Sequence, residues 1–449
     1  MRTVASVGLA STMAPKSTET VSAQEKGGTE LWRFETGNSA NSSPTVAGGT
    51  VYIGSNDNSL YVLDAETGDE RWSFETGDSV FSSPTVADFS ETQPGKTVVY
   101  FGSLDGNIYS LDAETGDELW RFETDSGVES SPTVAELSPS GSVTGTVYVG
   151  SGDGNLYALD AGTGDELWRF GTGKRIFSSA TVANGVVYFG SLDSNLYAVD
   201  AETGEELRRF GTPRPVFSSP TVADGVVYFG SRYPRLYALD AETGEELWRF
   251  ETPGSVESSP TVADGIVYFG SLDSDIYAVD TETGEKLWQY DTGGNVFSPT
   301  VTEDVVYVGS RDNSLYALDA ETGDELWQFE TGGIVKSSPT VLDGTVYFGS
   351  GDSNVYALNA SGSSIGSRVA HGTLGHHGVR FGDEPTENGT ADDGGVDGET
   401  GGGETDTDDG GSRDEEGSAD DSTAEEGMPG MGIPSALAGI GTSGYLLSR

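Results

Sequence analysis

The 449-residue chain contains no cysteine. Disulfides, thiolate metal sites, iron–sulfur clusters and cysteine nucleophiles are therefore excluded, and the redox compartment leaves no mark. Basic residues are scarce: 23 Lys and Arg stand against 73 Asp and Glu, for a formal net charge of −50. That balance argues against a nucleic-acid partner, because gripping a phosphate backbone needs a basic stripe that displaces counterions. Histidine occurs only at His371, His376 and His377, in one Gly-rich stretch that reads as a linker rather than a metal site.

What is abundant is glycine, at 65 residues, together with an aromatic share of 10%. Such a chain is rich in turns yet still fills a core, which points to an all-β protein. Carboxylates are spread over every turn, and most of the positive charge is arginine. This distribution resembles the proteins of salt-loving archaea, where dense carboxylates keep a surface hydrated and need concentrated counterions to be tolerated.

Tryptophan marks an internal repeat. Trp32, Trp72, Trp120, Trp168, Trp248, Trp288 and Trp327 are separated by 40, 48, 48, 80, 40 and 39 residues, and Arg208 stands where the double step would place another. The unit reads SSPTVADG, VVYFGS, LYALDAETGDELWRFETG, with β-rich runs broken by turn signals. Eight units lie between residues 29 and 360. A single small antiparallel sheet cannot bury both faces, and radial closure around an axis leaves only short edges. The expected fold is all-β, an eight-bladed β-propeller. The eighth unit stops at Asn359 after three strands, and a lone outer-strand sequence begins at Thr29. The N-terminal strand is therefore expected to close the last blade.

The stretch Ala158 to Trp168, ALDAGTGDELW, with close copies at 110–120, 238–248 and 317–327, resembles the tryptophan-docking motif of the pyrroloquinoline-quinone (PQQ)-like repeat family. That family includes alcohol dehydrogenases and a lipoprotein that assists outer-membrane assembly. The resemblance implies a Thr-Gly turn and a Trp stacked between blades. The long inserted loops, calcium site, catalytic Asp and Cys pair of the dehydrogenases are not visible in the sequence, so no catalytic residue and no cofactor is expected. PQQ with calcium stays open as an alternative, and so does an assembly factor for exported proteins.

Function is sought where the units differ. The residue before each SSPTV is expected to open the innermost strand near the channel mouth. It reads Asn41, Phe81, Glu129, Phe177, Phe217, Glu257, Phe297 and Lys336. Lys174, Arg175 and Arg214 enter the fourth and fifth units, and Arg232 and Arg235 replace the usual turn of the fifth. A basic patch on so acidic a molecule is a candidate site for an anion. A monomer that binds a protein or an acidic ligand on the propeller face is expected, with no catalysis. The repeated turn residues Asp57, Asp105, Asp153, Asp193, Asp273, Asp312 and Asp352 are read as hairpin residues first.

Four segments are expected. Residues 1–26 form a signal or disordered stretch, 27–360 the propeller, 361–427 a Gly/Asp/Glu-rich disordered stalk and 428–449 a weakly hydrophobic sorting or anchor segment. Asp383 to Glu426 holds 18 acids against Arg413 alone. Pro429-Gly430-Met431, the apolar run and Arg449 resemble an archaeosortase-type sorting signal. An exported, cell-surface or extracellular location follows, with membrane contact only through that anchor.

Overall fold

The apolar run of each unit, such as Val186–Gly190, alternates poorly because almost every residue in it is buried. Runs of this kind belong to strands covered on both faces. The computed structural model describes residues 27–89, 96–135, 145–302, 304–360 and the backbone of 379–380. It places eight four-stranded antiparallel units in succession. The fourth blade serves as the pattern, with strands Thr181–Ala183, Val186–Gly190, Asn195–Asp200 and Glu206–Gly211 from the axis outward. The eighth blade joins Thr340–Leu342, Thr345–Gly349 and Asn354–Asn359 to the N-terminal strand Glu30–Glu35. Closure by the N-terminal strand is thus as expected from the sequence. The two-residue strand Val379–Arg380 runs parallel to the innermost strand of blade 2, Thr85–Asp88.

The backbones of successive blades come closest together at the innermost strands. A ring of side-chain hydrogen bonds ties them together. The threonine of each SPT unit donates from Oγ1 to the carbonyl of the residue before the next blade's threonine, at 2.5–2.9 Å. The eighth, Thr340 to Pro44 O, completes the circle. Farther out, the core lies between blades. Tyr148, Leu156 and Ala158 of blade 3 pack against Val187, Phe189 and Tyr197 of blade 4, for example.

The docking tryptophans sit on the outer strands. Trp120 donates from Nε1 to Ala161 O of the next blade at 3.0 Å. Gly164 (φ +76°) lies beneath the same indole, and a Cβ there would come within 2.7 Å of Trp120 Cδ2. Both its dihedral angle and its neighbour therefore demand glycine. A register shift between Ala158 and Leu159 pairs them with Trp168 and Glu166 and skips Leu167. Leu167 is left pointing outward, 54% exposed, as are its counterparts in six other outer strands.

One boundary differs from the sequence expectation. The innermost strands start at the threonine, so the eight rim residues precede them instead of opening them. Proline before that threonine has no N–H to give a ladder. The first serine also turns its hydroxyl to the second strand, as Ser178 Oγ does in accepting from Gly190 N at 3.0 Å. In blade 7 that serine is missing, and Phe297 N instead donates to Gly309 O at 3.1 Å.

Candidate functional site

The connection entering each blade is held by a threonine and a buried aliphatic residue. In blade 4, Thr172 Oγ1 bonds Gly154 O (3.0 Å) and Lys174 O (2.6 Å), and Ile176 is fully buried. Lys174 and Arg175 are thereby held at the surface. Because innermost strands are the points of closest blade-to-blade approach, the residues just before them gather around the axis. All eight rim residues, from Asn41 to Lys336, are partly exposed there.

Blades 4 to 6 bring three of these side chains together with Arg232 in one cluster. The Phe177 and Phe217 rings lie 5.6 Å apart at 31°. The Arg232 guanidinium sits 4.0 Å above the Phe217 ring, and Arg232 Nε donates to Glu257 Oε1 at 2.7 Å. These two charged side chains are 29% and 14% exposed, so their pairing offsets a real desolvation cost. Burial still pushes the Glu257 carboxyl up, against the pull of Arg232. Burial raises Glu129 more strongly, to about 7, and only the positive charge of Arg175 opposes it. At blade 8, burial and the charge of Arg311 push the Lys336 ammonium down. Phe81 and Phe297 occupy the same rim and are likewise partly exposed.

Arg311 was missed by the sequence reading. It stands at the turn position taken by Leu192 in blade 4, donating its amide to Asn295 O as Leu192 does to Arg175 O. The signal was present as a departure from the repeat. The five expected basic residues differ in their surroundings. Lys174, Arg175 and Arg214 are exposed at the entering connections, and Arg232 turns to Glu257. Arg235 opens the third strand and pairs with the outer strand. Its Nε and Nη2 donate to Glu251 Oε1 at 3.0 and 2.5 Å, and its guanidinium lies 4.6 Å from the Tyr233 ring centre.

The turn aspartates do hairpin work in seven blades. Each accepts from the hydroxyl of a tyrosine four residues on, at 2.5–2.9 Å. Asp193 also accepts from Gly173 N at 3.1 Å. Burial disfavours its charge, but the bonds from Tyr197, Gly173 and Asn195 outweigh that and hold its carboxyl below the usual range. Blade 5 has Tyr233 where the aspartate belongs, and Pro213, which has no N–H, in the place of Gly173.

Residues 89–305 match the family described as beta-alanine-activating enzyme, beta-propeller, and residues 17–91 and 292–365 match that described as outer membrane protein assembly factor BamB. The chain is a β-propeller, and its repeats are similar to those of both families. Two solved structures share its fold. BamB from Moraxella catarrhalis is 20% identical over 74% of this chain and 99% of that one, with a TM-score of 0.61. The computationally designed Ika8 protein is 21% identical over 74% and 100%, with a TM-score of 0.63. No curated protein sequence matches the chain. Among the described residues, no three His, Cys, Asp or Glu side chains are grouped to hold a metal ion. A calcium-bound quinone therefore lacks a fitting donor set there. His371, His376 and His377 lie outside the described residues.

Proposed function

We propose that this protein is a non-catalytic binding or scaffolding module that takes a protein segment or an acidic ligand at the mouth of its channel. One observation carries the reading. Between residues 27 and 360 there are 16 lysines and arginines. Eight lie on outer strands and Lys96 stands alone. The other seven (Lys174, Arg175, Arg214, Arg232, Arg235, Arg311 and Lys336) fall in the entering connections or at the turns between second and third strands. Those two kinds of loop pack together, as Arg232 N donating to Pro215 O at 2.9 Å shows. On a molecule of this net charge, such local cations attract anionic partners and raise their encounter rate.

A second reading, an assembly factor for exported proteins, is favoured by the BamB-type repeats. Both readings use the same face and differ in the partner. Apart from the backbone of 379–380, residues 1–26, 361–427 and 428–449 lie outside the described residues, and we read them as export signal, stalk and surface anchor. No helix among the described residues is long and apolar enough to cross a membrane.

The test is retention of proteins from cell envelopes by the immobilised chain, compared with Lys174→Gln/Arg175→Gln/Arg214→Gln. A partner retained by the parent, released by salt and lost with the triple variant supports the reading. Equal retention by both overturns the assignment of the face. Incubation with PQQ and calcium is the companion measurement, and a bound-quinone spectrum with alcohol oxidation would overturn the non-catalytic reading.

A further inference from the structure

Blade 5 lacks an acid that the rest of the ring uses to satisfy a buried hydroxyl. Tyr237 is the counterpart of Tyr197, packed identically beside a phenylalanine: Phe229 to Tyr237 is 5.1 Å at 15°, and Phe189 to Tyr197 is 5.5 Å at 17°. Tyr197 Oη donates to Asp193 Oδ2 at 2.7 Å. Tyr237 is 2% exposed, and its hydroxyl finds no acceptor for its proton. A buried hydroxyl left without an acceptor is a cost to the fold. The charged group beside it is Arg235, which can only donate and so cannot receive the hydroxyl proton. Two donors thus stand together where every other blade supplies a carboxylate.

We propose that a carboxylate supplied by a ligand takes the place of the missing turn aspartate in blade 5. It accepts from Tyr237 Oη as Asp193 accepts from Tyr197, and it faces the guanidinium of Arg235. Tyr233, at the aspartate's position, and Arg235 are both partly exposed, so a ligand reaches the hydroxyl by displacing surface side chains. Charge-assisted bonds of this kind are roughly twice as strong as neutral ones. The inference rests on the reading of this face as the binding face and names the chemistry it recognises. The carboxylate could come from a small acid or from an acidic side chain of a partner.

The experiment titrates the full chain with citrate and, separately, with a glutamate-rich peptide, by calorimetry at low salt. Binding of citrate as well as peptide identifies a small-acid site, and binding of peptide alone identifies a partner segment. Tyr233→Asp restores the acid in the chain itself. It is expected to weaken binding at least about tenfold and to raise the melting temperature. Tyr237→Phe is expected to weaken binding severalfold with an unchanged melting temperature, whereas Tyr197→Phe lowers the melting temperature and leaves binding intact. Undiminished binding by Tyr233→Asp overturns the inference, and so does destabilisation by Tyr237→Phe equal to that by Tyr197→Phe. Absence of binding to the parent by either probe overturns it too. None of these results touches the wider reading, which the envelope-protein comparison judges separately.

Discussion

Arg208 donates from Nη1 to the carbonyl of Ala241 at 2.5 Å, the bond that Trp168 makes from its indole to Ala201 one blade earlier. The substitution therefore keeps the inter-blade hydrogen bond and loses the packing. A Cβ at Gly244 would come no nearer than 3.2 Å to Arg208 (Cδ), whereas one at Gly204 would meet the Trp168 ring at 2.6 Å.

Arg208→Trp is accordingly expected to stabilise the ring, by about 1 kcal/mol, since an indole buries far more apolar area than a guanidinium and Gly244 already has the left-handed dihedral that accommodates it. Thermal unfolding at fixed salt checks this, and a lower melting temperature in the variant would show that the slot has closed around arginine.

Closure by the strand Glu30–Glu35 leads to a second prediction. That strand pairs along its length with Asn354–Asn359, and Trp32 donates to Ala65 O of blade 1 at 3.0 Å. Removing residues 29–36 exposes the edge of blade 8 and breaks the ring at the seam. Loss of the cooperative transition in urea is the expected outcome, and a parental midpoint would contradict closure.

The fold was legible because its signals are local and repeated. The Trp period, the Thr-Gly turn and the half-units at each end each have one physical solution. The site was legible only as a set of departures. Phe177, Phe217 and Glu257 were found because they break the pattern at one position, but their joining through Arg232 depends on distances across blades. Arg311 escaped because a single cation in a turn carries no weight until Lys336 is seen near it. The cost of losing the aspartate at Tyr233 could not be read either. It appears only when the Tyr237 hydroxyl is found buried without an acceptor.

The acidic surface leads to a third prediction. At about 0.1 M salt the Debye length is about 10 Å, against about 3 Å at 1 M, so carboxylates on neighbouring turns repel one another more strongly. The melting temperature is expected to fall steadily as salt is lowered across that range. A melting temperature independent of salt would remove the reading of the surface as salt-adapted.

Glu129 leads to the last prediction, through its ionisation. In the unfolded chain a glutamate releases its proton near pH 4.3, whereas burial at the channel mouth raises Glu129 to about 7 despite Arg175. Between those values the folded protein holds a proton that the unfolded chain has released. Folding stability attributable to this group therefore falls as pH rises from about 4.5 to about 7, and it levels off above. Glu129→Gln keeps the shape and cannot ionise, so it escapes that loss. The two proteins are expected to be equally stable near pH 4, and the variant is expected to be more stable by about 3–4 kcal/mol at pH 8. Urea unfolding of both across this range reads the difference directly. A gap that stays constant with pH would mean that Glu129 titrates in the fold as it does in the unfolded chain, its burial offset by Arg175.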